Sequence, residues 1–206
     1  MSSTPDRDGL IIIGTRSAGP VNTSLSHLTP RQEHLATFAG GMFGLGGKLF
    51  GRERDLATAV ELTESAVWAY QSTATGLMPE IMDFYGPEQP DRWAYQDLGR
   101  NHFKARQKGI PLGTRSQHDT NYKGRPESIE SVFYMYRITG DPVWQDHGWR
   151  MFTAWIEHAL VSYGFANVVD VNKVPASHND IQESFVLTGK CRFRVNSCAD
   201  RSVQKL

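Results

Sequence analysis

The sequence predicts an all-α chain built from helical hairpins joined by long loops. Two observations carry this reading. Apolar residues recur at helical spacing over several segments of 13–20 residues. Proline and glycine punctuate those segments at the starts and stops that helices favour.

Residues 1–30 read as an extended lead-in rich in Ser, Thr and Pro, with one short strand candidate at 10–13. Asn22-Thr23-Ser24 is an N-glycosylation sequon, which matters only in the secretory pathway. Residues 31–49 form a predicted helix with Leu35, Phe38, Met42, Leu45 and Leu49 as its apolar stripe. Gly40, Gly41, Gly44, Gly46 and Gly47 lie between them. Each costs a helix about 1 kcal/mol relative to Ala, so this helix needs a close neighbour or a ligand to justify them.

Residues 53–72 are a plainer amphipathic helix, striped by Leu56, Ala59, Val60, Thr63, Val67 and Tyr70 and ended by Gly76. A long loop is expected over about 81–123. Pro126 then opens a helix as its first residue, with Ile129, Val132, Phe133 and Tyr136 at i, i+3, i+4 and i+7. Gly140 stops it, and Asp141-Pro142 starts the next as N-cap and first residue. Gly148, Met151, Phe152, Trp155 and Ala159 stripe that helix, and the short link makes the pair an antiparallel hairpin. Ile181 to Leu187 begins a further helix that does not continue.

Composition bounds the function. The 206 residues are 39% hydrophobic and 21% charged, a globular balance. Twenty-two basic residues match 22 acidic ones, so no global positive field exists to hold a nucleic acid. The longest aliphatic run, Leu10 to Ile13, is far short of the roughly 18 residues of a membrane span. Residues 1–9 show no basic region of a secretory leader. The charge is uneven: residues 1–187 carry 17 basic and 21 acidic groups, and residues 188–206 carry five basic and one acidic. That shift divides the chain into a unit at 1–187 and a tail at 188–206. Cys191 and Cys198 both lie in the tail, at a spacing that matches no usual zinc motif.

Glu80 and Glu127 each follow a proline at the edge of a helix or loop. Two carboxylates facing a cleft are the minimum for glycosidic cleavage, one as acid and one as base. Each also fits a first helical turn, where it complements the macrodipole. Arg125 suits a carboxylate, a sugar hydroxyl or the open surface. His34 reads as a core histidine or a site residue. His118-Asp119 lacks the further His and Asp of a metal phosphohydrolase. His27, His102, His147, His158 and His178 form no i, i+4 pair, which speaks against a transition-metal site. Residues 92–125 hold eight basic and two acidic side chains beside Trp93 and Tyr95, fit for an anion, a sugar ring or a solvated loop. The glycine-rich segment does not follow a strand, so it is no dinucleotide fingerprint.

Taken in order, five segments resemble a known family: His34 to Met42, Thr75 to Glu80, Arg125 to Ser131, Tyr134 to Asp141, and Glu183-Ser184-Phe185. The chain is similar over residues 10–187 to the class I α-1,2-mannosidases, glycoside hydrolase family 47. The resemblance implies a partial (α/α)7 barrel of helical hairpins. It implies calcium-dependent, inverting removal of α-1,2-linked mannose from high-mannose N-glycans. It implies a secretory-pathway setting, in the endoplasmic reticulum or Golgi membrane or secreted. By that resemblance Glu127 matches the general base and Glu80 an acidic residue with the role of proton donor. Arg125, His34 and Phe185 match positions lining the substrate pocket.

The departures from the family also carry expectations. The family domain is about twice as long, with its N-terminal half and further acids absent here. Gly189 stands where the family has glutamate, and the threonine that ligates Ca²⁺ is missing. The calcium site is therefore expected to be incomplete, and activity low or nil. Thr37 and Ala66 occupy the places of a common family disulfide. A partial barrel leaves helix stripes at its open ends unburied. Two other functions fit the same residues: a non-catalytic, lectin-like glycan binder of glycoprotein quality control, and a helical scaffold docking through those ends.

Overall fold

The computed structural model describes residues 2–3, 11–17, 27–84, 107, 109–111 and 114–187. The sequon, His102, the Trp93–Tyr95 segment, both cysteines and the tail lie outside the described residues.

Four helices form the bulk of the described chain. They are α1 (Ala39–Phe50), α2 (Glu53–Gln71), α3 (Glu127–Thr139) and α4 (Val143–Ala159). A 3₁₀ turn at Leu35–Phe38 leads into α1. Gly51 closes α1 in the left-handed conformation at φ +62°, and two residues later α2 begins. Gly140 does the same for α3 at φ +71°. The Asp141 carboxylate then accepts the Val143 N–H at 2.9 Å from one position before the N-cap, which is Pro142 rather than the expected Asp141. Pro126 and Pro142 stand one position earlier than predicted, just outside their helices. α3 packs against α1, α2 and α4.

The all-α expectation needs correction, because strands frame the helices. β1 (Ser2–Ser3) pairs antiparallel with β2 (Ile11–Ile12), and β3 (Thr15–Ser17) with β4 (His27–Thr29). β5 (Arg31–Glu33), β6 (Ile81–Phe84) and β7 (Thr114–Asp119) make an antiparallel sheet in that order. β8 (Leu160–Val161) and β9 (Gly164–Phe165) form a small hairpin. Segments predicted as helix start (31–33) and loop (81–84, 114–119) are thus strands. They are too short and irregular to show a two-residue alternation. α2 ends at Gln71, five residues before Gly76, and helical backbone in the last segment starts at Phe185 and reaches Leu187, the last described residue, rather than starting at Ile181.

The stripe predicted for α1 faces outward. Leu35, Met42, Leu45 and Leu49 are exposed, whereas Gly40, Gly41, Gly44 and Gly47 are buried. The glycines are the contact face. A Cβ on Gly41 would stand 2.9 Å from the Tyr134 ring, and one on Gly47 3.0 Å from the Leu56 backbone nitrogen. α4 buries Gly148, Met151, Phe152, Trp155 and Ala159, as its spacing predicts. Tyr70, Leu77, Met78, Met82, Ile129, Trp155 and Val168 anchor one continuous core between the helices and the sheet. Among the described residues no helix is long and apolar enough to cross a membrane.

Candidate active site

The site is built at one end of the three-stranded sheet. β5 and β7 end there and β6 begins there, so His34, Glu80 and Asn121 lie side by side. The His34 N–H donates to the Glu80 carbonyl at 2.9 Å, and the Glu80 N–H to the Asn121 carbonyl at 2.9 Å. Those bonds fix the backbone from which the side chains project. Asp83 ties the same sheet together. It accepts from Arg31 Nε at 2.7 Å and from Ser116 Oγ at 2.9 Å, so one buried carboxylate joins all three strands. Burial works against its charge, but Arg31 and Ser116 outweigh burial and hold the Asp83 carboxyl below its ordinary range.

The first turn of α3 docks onto this end through hydroxyls. Thr37 Oγ1 lies 2.7 Å from Ser128 Oγ and donates to the His34 carbonyl at 2.6 Å. Ser131 Oγ donates to the Thr37 carbonyl at 2.8 Å and accepts the Gly41 N–H at 3.0 Å. These contacts carry Glu127 and Arg125 to the sheet end. A further return of the chain brings in Phe185. Tyr122 and Val168 exchange backbone hydrogen bonds at 2.9 and 3.0 Å, and Val168 bridges on to His178.

All five residues singled out in the sequence meet in this cluster. Arg125 Nε donates to Glu80 Oε2 at 2.7 Å, and its guanidinium lies 5.2 Å from the centre of the Phe185 ring. Glu80 is 7% exposed and its Oε1 is buried without a hydrogen bond. Burial opposes the Arg125 charge, yet the hydrogen bond and charge of Glu80, with Glu127 and Glu183 nearby, raise its pKa above the usual arginine value. Glu127 Oε2, also buried without a hydrogen bond, stands 3.6 Å from His34 Nδ1.

Two residues of the cluster were not singled out as site residues by sequence. Tyr70 OH lies 2.8 Å from His34 Nε2 and donates to Tyr122 OH at 3.4 Å. Tyr70 was counted only as a stripe position of α2. Its hydroxyl faces the site because α2 ends one residue later, and no local sequence signal marks that. Burial pushes the Tyr70 phenol far above its ordinary pKa; a Ser128 hydrogen bond pulls back, and Glu127 and Glu80 push further up. It stays a neutral phenol.

Calcium takes about six to eight oxygen ligands. Among the described residues no group of three or more His, Cys, Asp or Glu side chains is placed to hold a metal ion. The described residues do not by themselves fit a calcium site. Of the other histidines, His147 stacks edge-on against Trp144, and His178 Nε2 is 2.7 Å from the His158 carbonyl, both away from the cluster.

Helical hairpins carry two carboxylates close together at one end, the minimum that glycosidic cleavage asks for. The chain belongs to glycosyl hydrolase family 47, whose family model matches residues 1–193. It is 32% identical over 195 residues to a mannosyl-oligosaccharide alpha-1,2-mannosidase of Coccidioides posadasii, covering 93% of this chain and 33% of the relative. It is 31% identical over 192 residues to mannosyl-oligosaccharide 1,2-alpha-mannosidase IB of Mus musculus, covering 91% of this chain and 25% of the relative. Its fold is like that of an alpha-1,2-mannosidase from Trichoderma reesei, an (α/α)7 barrel, at a TM-score of 0.72 and 24% identity over 94% of this chain and 37% of that one. The chain thus spans a quarter to a third of the length of these curated relatives.

Proposed function

We propose that the chain is part of an α-1,2-mannosidase acting on high-mannose N-glycans, with Glu127 as general base and Glu80 as the second acidic group. The observation that supports this most directly is the pair of buried carboxylate oxygens, Glu80 Oε1 and Glu127 Oε2, in one cluster with Arg125 over Phe185. Both carboxylates lie close enough to Arg125 and Tyr70 to raise the pKa of each.

The chemistry is a single inverting displacement. A water oxygen attacks the anomeric carbon while its proton passes to Glu127. The glycosidic C–O bond breaks, and the leaving oxygen takes a proton from an acid. For Glu80 to be that acid, Arg125 must release it, a sugar hydroxyl must take over the guanidinium, and the freed carboxylate must take up a proton from solvent that it then gives to the leaving oxygen. Phe185 presents an apolar ring face suited to a sugar ring. In the family calcium binds sugar hydroxyls; completing such a site here takes oxygens beyond the described residues, and no step above runs through it. The setting proposed is the secretory pathway.

The chain alone is expected to show little or no turnover, because its described helices make up only part of a barrel. Mass profiling of a nine-mannose N-glycan with the purified chain, with and without a calcium chelator, checks this beside a complete relative. Loss of mannose at a rate near that of the relative would overturn the expectation of low activity. Release of a sugar other than α-1,2-linked mannose would overturn the substrate assignment. The Arg125–Phe185 pair also favours a second reading, glycan binding without cleavage. That reading expects millimolar α-1,2-mannobiose to bind Glu127→Gln as well as the unsubstituted chain, and no binding at all would sink it.

A further inference from the structure

Five glycines lie in α1, and contacts inside the chain account for four of them. A Cβ on Gly40 would overlap Thr63 Oγ1, and one on Gly41 would crowd Tyr134. On Gly44 it would meet Met135, and on Gly47 Leu56. Gly46 is different. Among the described residues, nothing beyond its chain neighbours and its own helix backbone stands within 4 Å of the place a Cβ would take. It costs the helix about 1 kcal/mol relative to Ala, and no such contact offsets that.

The position of Gly46 on the helix explains what it is next to. Each residue turns the helix by about 100°, so Met42, Leu45, Gly46, Leu49 and Phe50 share an arc of about 140°. Gly40, Gly41, Gly44 and Gly47 lie on the opposite, buried side. The four large side chains of the outward arc are all exposed. Residues 42, 45, 46 and 49 stand at i, i+3, i+4 and i+7. Those are the corners of a hole into which a facing helix inserts a side chain. With glycine at one corner, the hole is floored by backbone.

The face is also complementary to itself. A two-fold axis through the midpoint of residues 45 and 46 sets Leu45 of each copy over Gly46 of the other. It sets Met42 beside the partner's Leu49. Lys48 is the only ionisable side chain of α1 and lies outside the arc, so no like charges from the two helices meet there. Covering the exposed apolar side chains of both copies removes about 1,000 Å² of accessible surface, at the small end of specific interfaces. That area suits a reversible dimer.

We propose that the outward face of α1 is a homodimer interface, in which two copies pack their α1 helices antiparallel with Leu45 of each seated over Gly46 of the other. The proposal does not rest on the assigned activity, and no residue of the carboxylate cluster belongs to this face.

Sedimentation equilibrium of the full chain from about 1 to 100 µM is expected to show a reversible monomer–dimer step. Gly46→Gln fills the hole with a helix-favouring side chain, at a place where the chain itself leaves open space. It is expected to weaken the dimer by about tenfold or more, while the helical circular dichroism and the unfolding midpoint of the dilute monomer are kept or raised. A chain that stays monomeric throughout overturns the proposal, and so does one that forms only larger species. A Gly46→Gln variant that dimerises as tightly as the unsubstituted chain overturns it too. Disulfide cross-linking in a Cys191→Ser/Cys198→Ser background reads the orientation. A mixture of Met42→Cys and Leu49→Cys chains is expected to link faster than either chain alone, and no such excess overturns the antiparallel arrangement.

Discussion

At the residue scale the site is a matter of which charges are left with partners. Glu80 is almost fully buried and Arg125 is its ion-pair partner, so Arg125→Ala strands a carboxylate in the core. The expected loss of stability is about 2–4 kcal/mol in chemical denaturation. Adding Glu80→Gln to that variant should recover part of it, because the stranded charge is gone. Asp83 gives a pH signature. Its folded-state pKa lies below the ordinary aspartate value, so the stability it adds is present above about pH 4 and is lost as pH falls through the folded value. Asp83→Asn is expected to flatten the acid limb of a stability profile below about pH 4 while the neutral region keeps its shape. Glu80, Glu127 and Arg125 were legible in sequence as chemistry-bearing types beside prolines. What brings them together was not. Asp83 and Tyr70 are an ordinary acidic and an ordinary aromatic residue until three strands and a helix end converge on them.

At the element scale α1 shows how a periodic pattern misleads. Its leucines and methionine recur at helical spacing, and so do its glycines, one face apart. Hydrophobicity alone selects the wrong face, because close approach of α2 and α3 needs small residues rather than apolar ones. The exception is Gly46, beside which no atom lies within 4 Å of an added Cβ. Gly46→Ala is expected to stabilise the chain by about 0.5–1 kcal/mol, through helix propensity alone. Gly40→Ala, whose Cβ would overlap Thr63 Oγ1 and lie 3.3 Å from the Thr63 backbone nitrogen, should cost about 1–3 kcal/mol. Thermal unfolding of the pair separates propensity from packing with opposite signs. The spacing of α4 predicts its buried face because Met151, Phe152 and Trp155 share it, while Val143 and Trp149 lie exposed outside it. The strands were missed because a strand of three or four residues is chosen by its neighbours, not by its own alternation.

At the scale of the whole molecule the outward face of α1 dominates. Leu35, Met42, Leu45, Leu49 and Phe50 form an exposed apolar stripe, with Leu49 at 76% and Phe50 at 71% exposure. A patch of this kind on a chain spanning a third or less of its curated relatives is expected to drive self-association. Light scattering after size exclusion should show a larger monomer fraction for Met42→Lys/Leu49→Glu than for the unsubstituted chain. A unsubstituted chain that already runs as a monomer would contradict this. The same molecule is tied together over long stretches of sequence. Thr37 and Ser128 are 91 residues apart, and Thr75 and the Val171 carbonyl it caps are 96 apart. On a ribosome adding roughly 5–20 residues per second, Thr75 waits about 5–20 s for its acceptor to be synthesised. Through that interval the segment bearing Glu80 has been made but cannot close, because the acceptor that pins it lies in chain still to be synthesised.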